Sequence, residues 1–211
     1  LQADQADLEL VEGTVRVKGS SEARLTLAEL ATQLSPIVGG ELPMGLAPGL
    51  EATAYTDPQP STTASGTNVA EVEVDIGTGA VKLIRYSVAH DCGRLINPLL
   101  VNGQIEGGVV HGIGNALFER MHYDADGQPL STNYGEYLLP VASDMPPIEI
   151  VHQETPSPSN PLGIKGAGEG GTIPAAAAIV AAIENALAPW QIVIDDYPVA
   201  PQTLCALLDA A

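Results

Sequence analysis

With 211 residues, 45% of them hydrophobic, the chain is long and apolar enough to bury a core, which excludes a disordered polymer. Eight basic residues against 26 acidic ones leave a net charge of −18, which excludes a surface built for nucleic acid or for anionic membrane. The apolar run Ala175 to Ala188 contains Glu184 and Asn185 and is too short to cross a bilayer. Cys92 and Cys205 match no zinc, haem or CxxC spacing, so a reducing, cytoplasmic setting is expected, with a structural disulfide left open. The opening Leu1-Gln-Ala-Asp lacks the basic start and apolar centre of a signal peptide and reads as the continuation of a larger polypeptide.

In chain order, Leu8 to Val17 reads as a hairpin turning at Glu12-Gly13, followed by a small helix over Thr26 to Leu34. Ser35 to Gly49 is rich in Gly and Pro and reads as a loop leading to a strand over Leu50 to Tyr55. Residues 1–47 are therefore taken as an N-terminal segment and 48–211 as the main domain. From Asn68 to Asp91 a long hairpin is expected, because Val72 and Val74 alternate with Glu71, Glu73 and Asp75 and Gly77-Thr-Gly79 turns the chain. Between Pro98 and Arg120, Ile105, Val109, Ile113, Ala116 and Leu117 recur at helical spacing. The glycines among them predict a helix packed so closely that side chains are excluded at its contacts.

Asp126-Gly127 predicts a second hairpin around Met121 to Gln128, and Ile148 to Val151 a further strand. The loop Thr155 to Pro161 leads into a helix from Pro174 to Ala188, a strand over Gln191 to Ile194 and a terminal helix over Pro201 to Asp209. Long antiparallel hairpins packed with helices, with no regular βαβ alternation, predict an α+β fold.

The segment Lys165-Gly-Ala-Gly-Glu-Gly-Gly-Thr172 sets one carboxylate among glycines directly before a helix. Glycine permits tight turns and close approach of a ligand to the main chain, so Glu169 is placed to be presented to something bound there. Thr172 is the expected N-cap, with free N–H groups behind it that favour an anion. The lysine precedes the glycines, which excludes a Walker loop. Taken alone, the segment reads sooner as an ordinary glycine turn stabilised by the helix dipole than as a functional loop.

A second glycine-rich block, His90-Asp-Cys-Gly-Arg-Leu-Ile-Asn-Pro98 with Gly103 to Gly114, changes that balance. Together with Asn160 to Glu169 and Pro48 to Tyr55, it resembles the C-terminal part of the molybdopterin-binding large subunit of the xanthine oxidase, aldehyde oxidase and aerobic carbon monoxide dehydrogenase family. The resemblance extends from about Leu8 to the end. It implies an oxidoreductase that hydroxylates an aldehyde, N-heterocycle or similar substrate with water as oxygen source. Within it the catalytic loop is 160–172 and Glu169 is the general base.

The same resemblance implies a molybdenum–molybdopterin cytosine dinucleotide shared with other segments, and 2Fe-2S and FAD groups on partner subunits. Asp91, Cys92, Gly93 and Asn97, where a strand gives way to a helix start, are the expected contacts of its dinucleotide end, with Gly166 and Gly168 in the loop. Lys165 is expected to pair with a cofactor phosphate or with Glu169, or else to lie on the surface. Gln104 is either a polar contact of the cofactor or a packing residue. His90, His111, His122 and His152 lack metal-ligand spacing and are expected to be structural or exposed. The competing expectation is a structural or assembly module that keeps the fold without catalysis.

Overall fold

The computed structural model describes residues 1–20, 24–35, 42, 47–55 and 61–211, in two compact units, Leu1–Asp57 and Pro58–Ala211. In the first unit, β1 (Leu8–Val11), β2 (Thr14–Val17) and β3 (Arg24–Thr26) form an antiparallel sheet in that order. Glu12 and Gly13 turn β1 into β2 with φ of 48° and 74°, the left-handed conformation that a two-residue hairpin needs. Helix α1 (Leu27–Gln33) starts in a capping box: the Thr26 hydroxyl accepts from the Glu29 N–H at 3.2 Å and the Glu29 carboxylate from the Thr26 N–H at 2.8 Å. The hairpin and the helix match expectation, whereas β3 carried no signal of its own. The loop expected over Ser35 to Gly49 lies largely outside the described residues. The strand expected over Leu50 to Tyr55 is not formed: both end residues are exposed and no described strand pairs with the segment.

In the second unit, β4 (Ser65–Asp75), β5 (Ala80–Asp91) and β6 (Ile148–His152) form a sheet in that order. The β4–β5 hairpin is antiparallel with a register shift between Glu71 and Val72, and β5 pairs with β6 in parallel, Tyr86 opposite Ile148. The connection between those parallel strands carries α2 (Pro98–Leu117), as a parallel pair requires a long crossover. Helices α3 (Ala175–Ala186) and α4 (Pro201–Ala210) follow. Tyr86 and Val88 from β5, Ile105, Val109 and Ile113 from α2, Ile179 and Ile183 from α3 and Leu204 from α4 form the buried centre.

Two expected strands are reduced by local chemistry. Around Met121 to Gln128 the turn forms, but the ladder is a single bridge between Tyr123 and Pro129. The Asp124 carboxylate takes the N–H groups of Asp126 and Gln128, each at 2.9 Å, and Pro129 has no N–H to extend the pairing. Gln191 to Ile194 is not a strand: Gln191 takes a left-handed conformation, and the Ile194 N–H donates to the Glu184 carboxylate at 2.8 Å.

The glycines of α2 separate into two kinds. A Cβ at Gly112 would collide with the Cβ of Ala175, and one at Gly108 would stand 2.9 Å from the Thr172 nitrogen, whereas Gly103 and Gly107 meet nothing within 4 Å. Close packing of α2 on the 171–175 turn therefore needs glycine at 108 and 112 only. Gly112→Ala is expected to destabilise the chain by about 1–3 kcal/mol through overpacking. Gly103→Ala is expected to stabilise it by up to about 1 kcal/mol through helix propensity. Chemical denaturation of the two variants checks the pair.

Candidate active site

The site is built where β5 ends. Asp91 is almost buried, and its carboxylate is fully engaged within the chain. One oxygen accepts from the Gly93 N–H at 2.8 Å and the Thr155 N–H at 3.2 Å. The other accepts from the Thr155 hydroxyl and from the Lys165 ammonium at 3.2 Å. Lys165 also donates to the Thr155 hydroxyl oxygen at 2.7 Å. The Thr155 hydroxyl above all, then the Gly93 N–H, with Lys165 adding, hold the Asp91 carboxyl well below the usual carboxylate range. Lys165 thus pairs with Asp91, not with Glu169, and it is not a free surface cation.

This pair ties the strand end to the 160–172 loop, and main-chain bonds extend the tie. The Lys165 N–H donates to the Cys92 carbonyl at 2.8 Å and the Arg94 N–H to the Gly163 carbonyl at 3.0 Å. Gly93 and Gly163 both have positive φ, 71° and 69°, and a Cβ on Gly93 would run into the Gly163 carbonyl. Glycine at 93 therefore serves a chain crossing. Cys92 is 4% exposed, and burial pushes its thiol up, which disfavours the thiolate a nucleophile needs. Asn97 caps α2, its side-chain oxygen accepting from the Leu100 N–H at 3.2 Å. The polar atoms of Asp91 and Lys165 and the side-chain oxygen of Asn97 are thus engaged inside the chain.

The remaining candidates face outward. Gln104, in α2, donates its amide N–H to the Gly168 carbonyl at 2.7 Å, which holds the glycine loop against the helix. An added Cβ at Gly166 or Gly168 meets nothing within 4 Å. Neither glycine has a positive φ, so neither the described chain nor backbone strain requires glycine there. Glu169 is exposed, and no described hydrogen bond or ion pair engages its carboxylate. Its main-chain carbonyl accepts from the N–H groups of Thr172 and Ile173, each at 3.1 Å. The expected Thr172 cap is corrected accordingly: α3 starts at Ala175, two residues later, with Pro174 at its N-cap and no side-chain cap, and those two N–H groups are taken.

Gly166, Gly168 and Glu169 border a cleft of about 710 Å³ whose walls also include Gly66, His90 and Ile173. His90 departs from the exposed alternative of its expectation: it is 2% exposed and part of the cleft wall, directly against Gly170. Strand phase carried the signal, since Tyr86, Val88 and His90 share the inward face of β5. Thr155 had no signal, because its role depends on Asp91 and Lys165 meeting across distant segments. Of the other histidines, His111 and His122 are exposed and His152 is bonded to the Asn102 side chain at 2.6 Å.

Residues 1–146 match the family model described as the molybdopterin cofactor-binding domain. The gamma subunit of the 6-hydroxypseudooxynicotine dehydrogenase complex of Paenarthrobacter nicotinovorans is 40% identical over 97% of this chain and 25% of its own length. The crystal structure of quinoline 2-oxidoreductase from Pseudomonas putida 86 superposes with a TM-score of 0.90 at 39% identity, covering 98% of this chain and 26% of that one. That of the Cu,Mo-CO dehydrogenase does so with a TM-score of 0.85 at 31% identity, covering 100% and 26%. The chain therefore spans about a quarter of the length of these relatives.

Proposed function

This chain belongs to the molybdopterin cofactor-binding family, among the large subunits of the xanthine oxidase family, and from that premise we propose that Glu169 is its catalytic general base. The reaction class is oxidative hydroxylation of an aldehyde, N-heterocycle or similar substrate, with water as oxygen source. The observation that carries the reading is Glu169 itself, a carboxylate with no partner among the described residues, standing in a cleft edged by glycine.

The residues present fit a large flat cofactor. Gly166 and Gly168 leave a bare main-chain edge that nothing described in the chain fills. Gln104 fixes that edge by holding the Gly168 carbonyl. When bound, a molybdenum–molybdopterin cytosine dinucleotide supplies two-electron redox chemistry and a Lewis acid at this edge. Gln104, Gly166 and Gly168 are its proposed contacts, and Asp91, Cys92, Gly93, Asn97 and Lys165 form the shelf behind them.

Glu169 accepts the proton released as oxygen is transferred. Its carboxylate has no partner among the described residues and is available for that role, whereas the Asp91 carboxylate already holds Lys165. The rest of the large subunit, an iron–sulfur subunit carrying 2Fe-2S and an FAD subunit are the proposed partners, and a cytoplasmic setting is proposed from the two free cysteines.

Isolation of the chain with its native partners, followed by molybdenum and nucleotide analysis, tests the proposal. One molybdenum and one cytidine nucleotide per large subunit are expected. A complex that assembles fully without molybdenum would assign the chain to the structural, non-catalytic role instead.

A further inference from the structure

Glu169 and Ile173 stand one helical turn apart: the Ile173 N–H donates to the Glu169 carbonyl at 3.1 Å, so the two side chains share one face of that turn. The residues between them are pinned inward. A Cβ on Gly170 would strike the His90 ring, one on Gly171 the Ile105 carbonyl, and one on Gly108 would stand 2.9 Å from the Thr172 hydroxyl oxygen. Packing of 170–172 on β5 and α2 thus fixes the direction of the other face, and Glu169 and Ile173 border the same cleft of about 710 Å³. Ile173 is 73% exposed and lies outside the core.

A single surface isoleucine needs no explanation of its own. The place of this one gives it meaning. Side chains one turn apart have Cβ atoms about 5–6 Å from each other, and a general base works within about 3 Å of the proton it takes. A ring reacting beside Glu169 is therefore within reach of Ile173. Elsewhere the described wall is small or polar: residues 61–66 bring serine, threonine, alanine and glycine, and Gly166 and Gly168 bring bare main chain. Ile173, with the half-buried Pro174 beside it, is the large aliphatic surface of the cleft, and no lysine or arginine borders it among the described residues.

We propose that Ile173 is a specificity-determining residue, forming the apolar wall on which a neutral aromatic ring lies while it reacts beside Glu169. The inference rests on reading Glu169 as the general base. It narrows the substrate to one that buries ring carbon on Ile173 and carries no carboxylate or phosphate there, because the described wall offers such a group no counter-charge.

The test compares the native large subunit, in its complete complex, with Ile173→Val, Ile173→Thr and Ile173→Ala. Quinoline and benzaldehyde serve as probes, one a neutral N-heterocycle and the other a neutral aryl aldehyde. The native complex is expected to turn over at least one of them. With that probe, Ile173→Val is expected to stay within about threefold of the native KM, and Ile173→Thr and Ile173→Ala to raise it about tenfold or more. The kcat is expected to change little, as for a contact made equally before and during reaction. Valine and threonine differ by a methyl for a hydroxyl at the same shape, so the gap between them reads apolar contact and not fit. Molybdenum content and Tm are expected to match across the series.

Threonine matching valine, or a KM unchanged throughout, would overturn the proposal. So would a fall in molybdenum content or Tm alongside the rise in KM, which would place Ile173 against the cofactor or another part of the subunit. A native complex that turns over neither probe would overturn it as well. Full turnover by Glu169→Gln would remove the general base and leave the KM series standing, whereas a flat series with an inactive Glu169→Gln would remove this inference alone.

Discussion

A large subunit carrying Glu169→Gln, assembled with its partners, is expected to turn over about 10² to 10⁴ times more slowly than the native complex, the usual contribution of a positioned general base. Molybdenum content and Tm are expected to stay unchanged, for a structural reason. The Glu169 carboxylate holds nothing in the described chain, while the loop around it is held by main-chain groups: the Gly168 carbonyl by Gln104, and the Glu169 carbonyl by Thr172 and Ile173. A carboxamide of nearly the same shape therefore leaves the loop in place and removes only the ability to take a proton. Glu169→Asp, one methylene shorter, keeps the charge and is expected to fall between the two. Steady-state rates beside metal analysis check the series.

Asp91→Ala is expected to lower stability by about 3 kcal/mol, the low end for breaking a buried ion pair. The side chains of Lys165 and Asp91 are 15% and 10% exposed, so the lysine left behind cannot fully regain water. The Gly93 N–H, the Thr155 N–H and the Thr155 hydroxyl lose their acceptor at the same time. Adding Lys165→Met to Asp91→Ala is expected to recover part of the loss, because the unpaired charge goes with it.

The pH dependence has a definite sign. The folded carboxyl is held well below its unfolded value of about 3.9. Its contribution is therefore complete above about pH 4 and falls away as the pH drops towards the folded value. Urea unfolding at pH 7 and at pH 3 should show the native chain and Asp91→Ala far apart at the first pH and closer at the second.

The elements legible in the sequence were those whose own residues determine them. Alternation of Val72 and Val74 with acids placed β4, and the row Ile105, Val109, Ile113 placed α2. Gln191 to Ile194 had strand composition, but its outcome depended on a distant carboxylate, Glu184, and on a left-handed residue, neither visible in local periodicity. The candidate site divides in the same way. Glycine spacing singled out the loop around Glu169. Which glycines serve packing and which stand open became clear only once Gly171 was seen against the Ile105 carbonyl and Gly168 facing open space.

Asp91 and Lys165, 74 positions apart, were both singled out, yet nothing in either block said that they bind each other through Thr155. His90 shows the reverse. Its inward strand phase was present in the sequence, but that neither ring nitrogen has a partner among the described residues was not.

The most direct test is a rapid-mixing measurement of enzyme reduction by substrate in a single turnover, with native and Glu169→Gln complexes matched for molybdenum content. A reduction rate at least about a hundredfold lower in Glu169→Gln is predicted, with substrate binding little changed. Equal reduction rates at equal molybdenum content would contradict the assignment of Glu169 as the base.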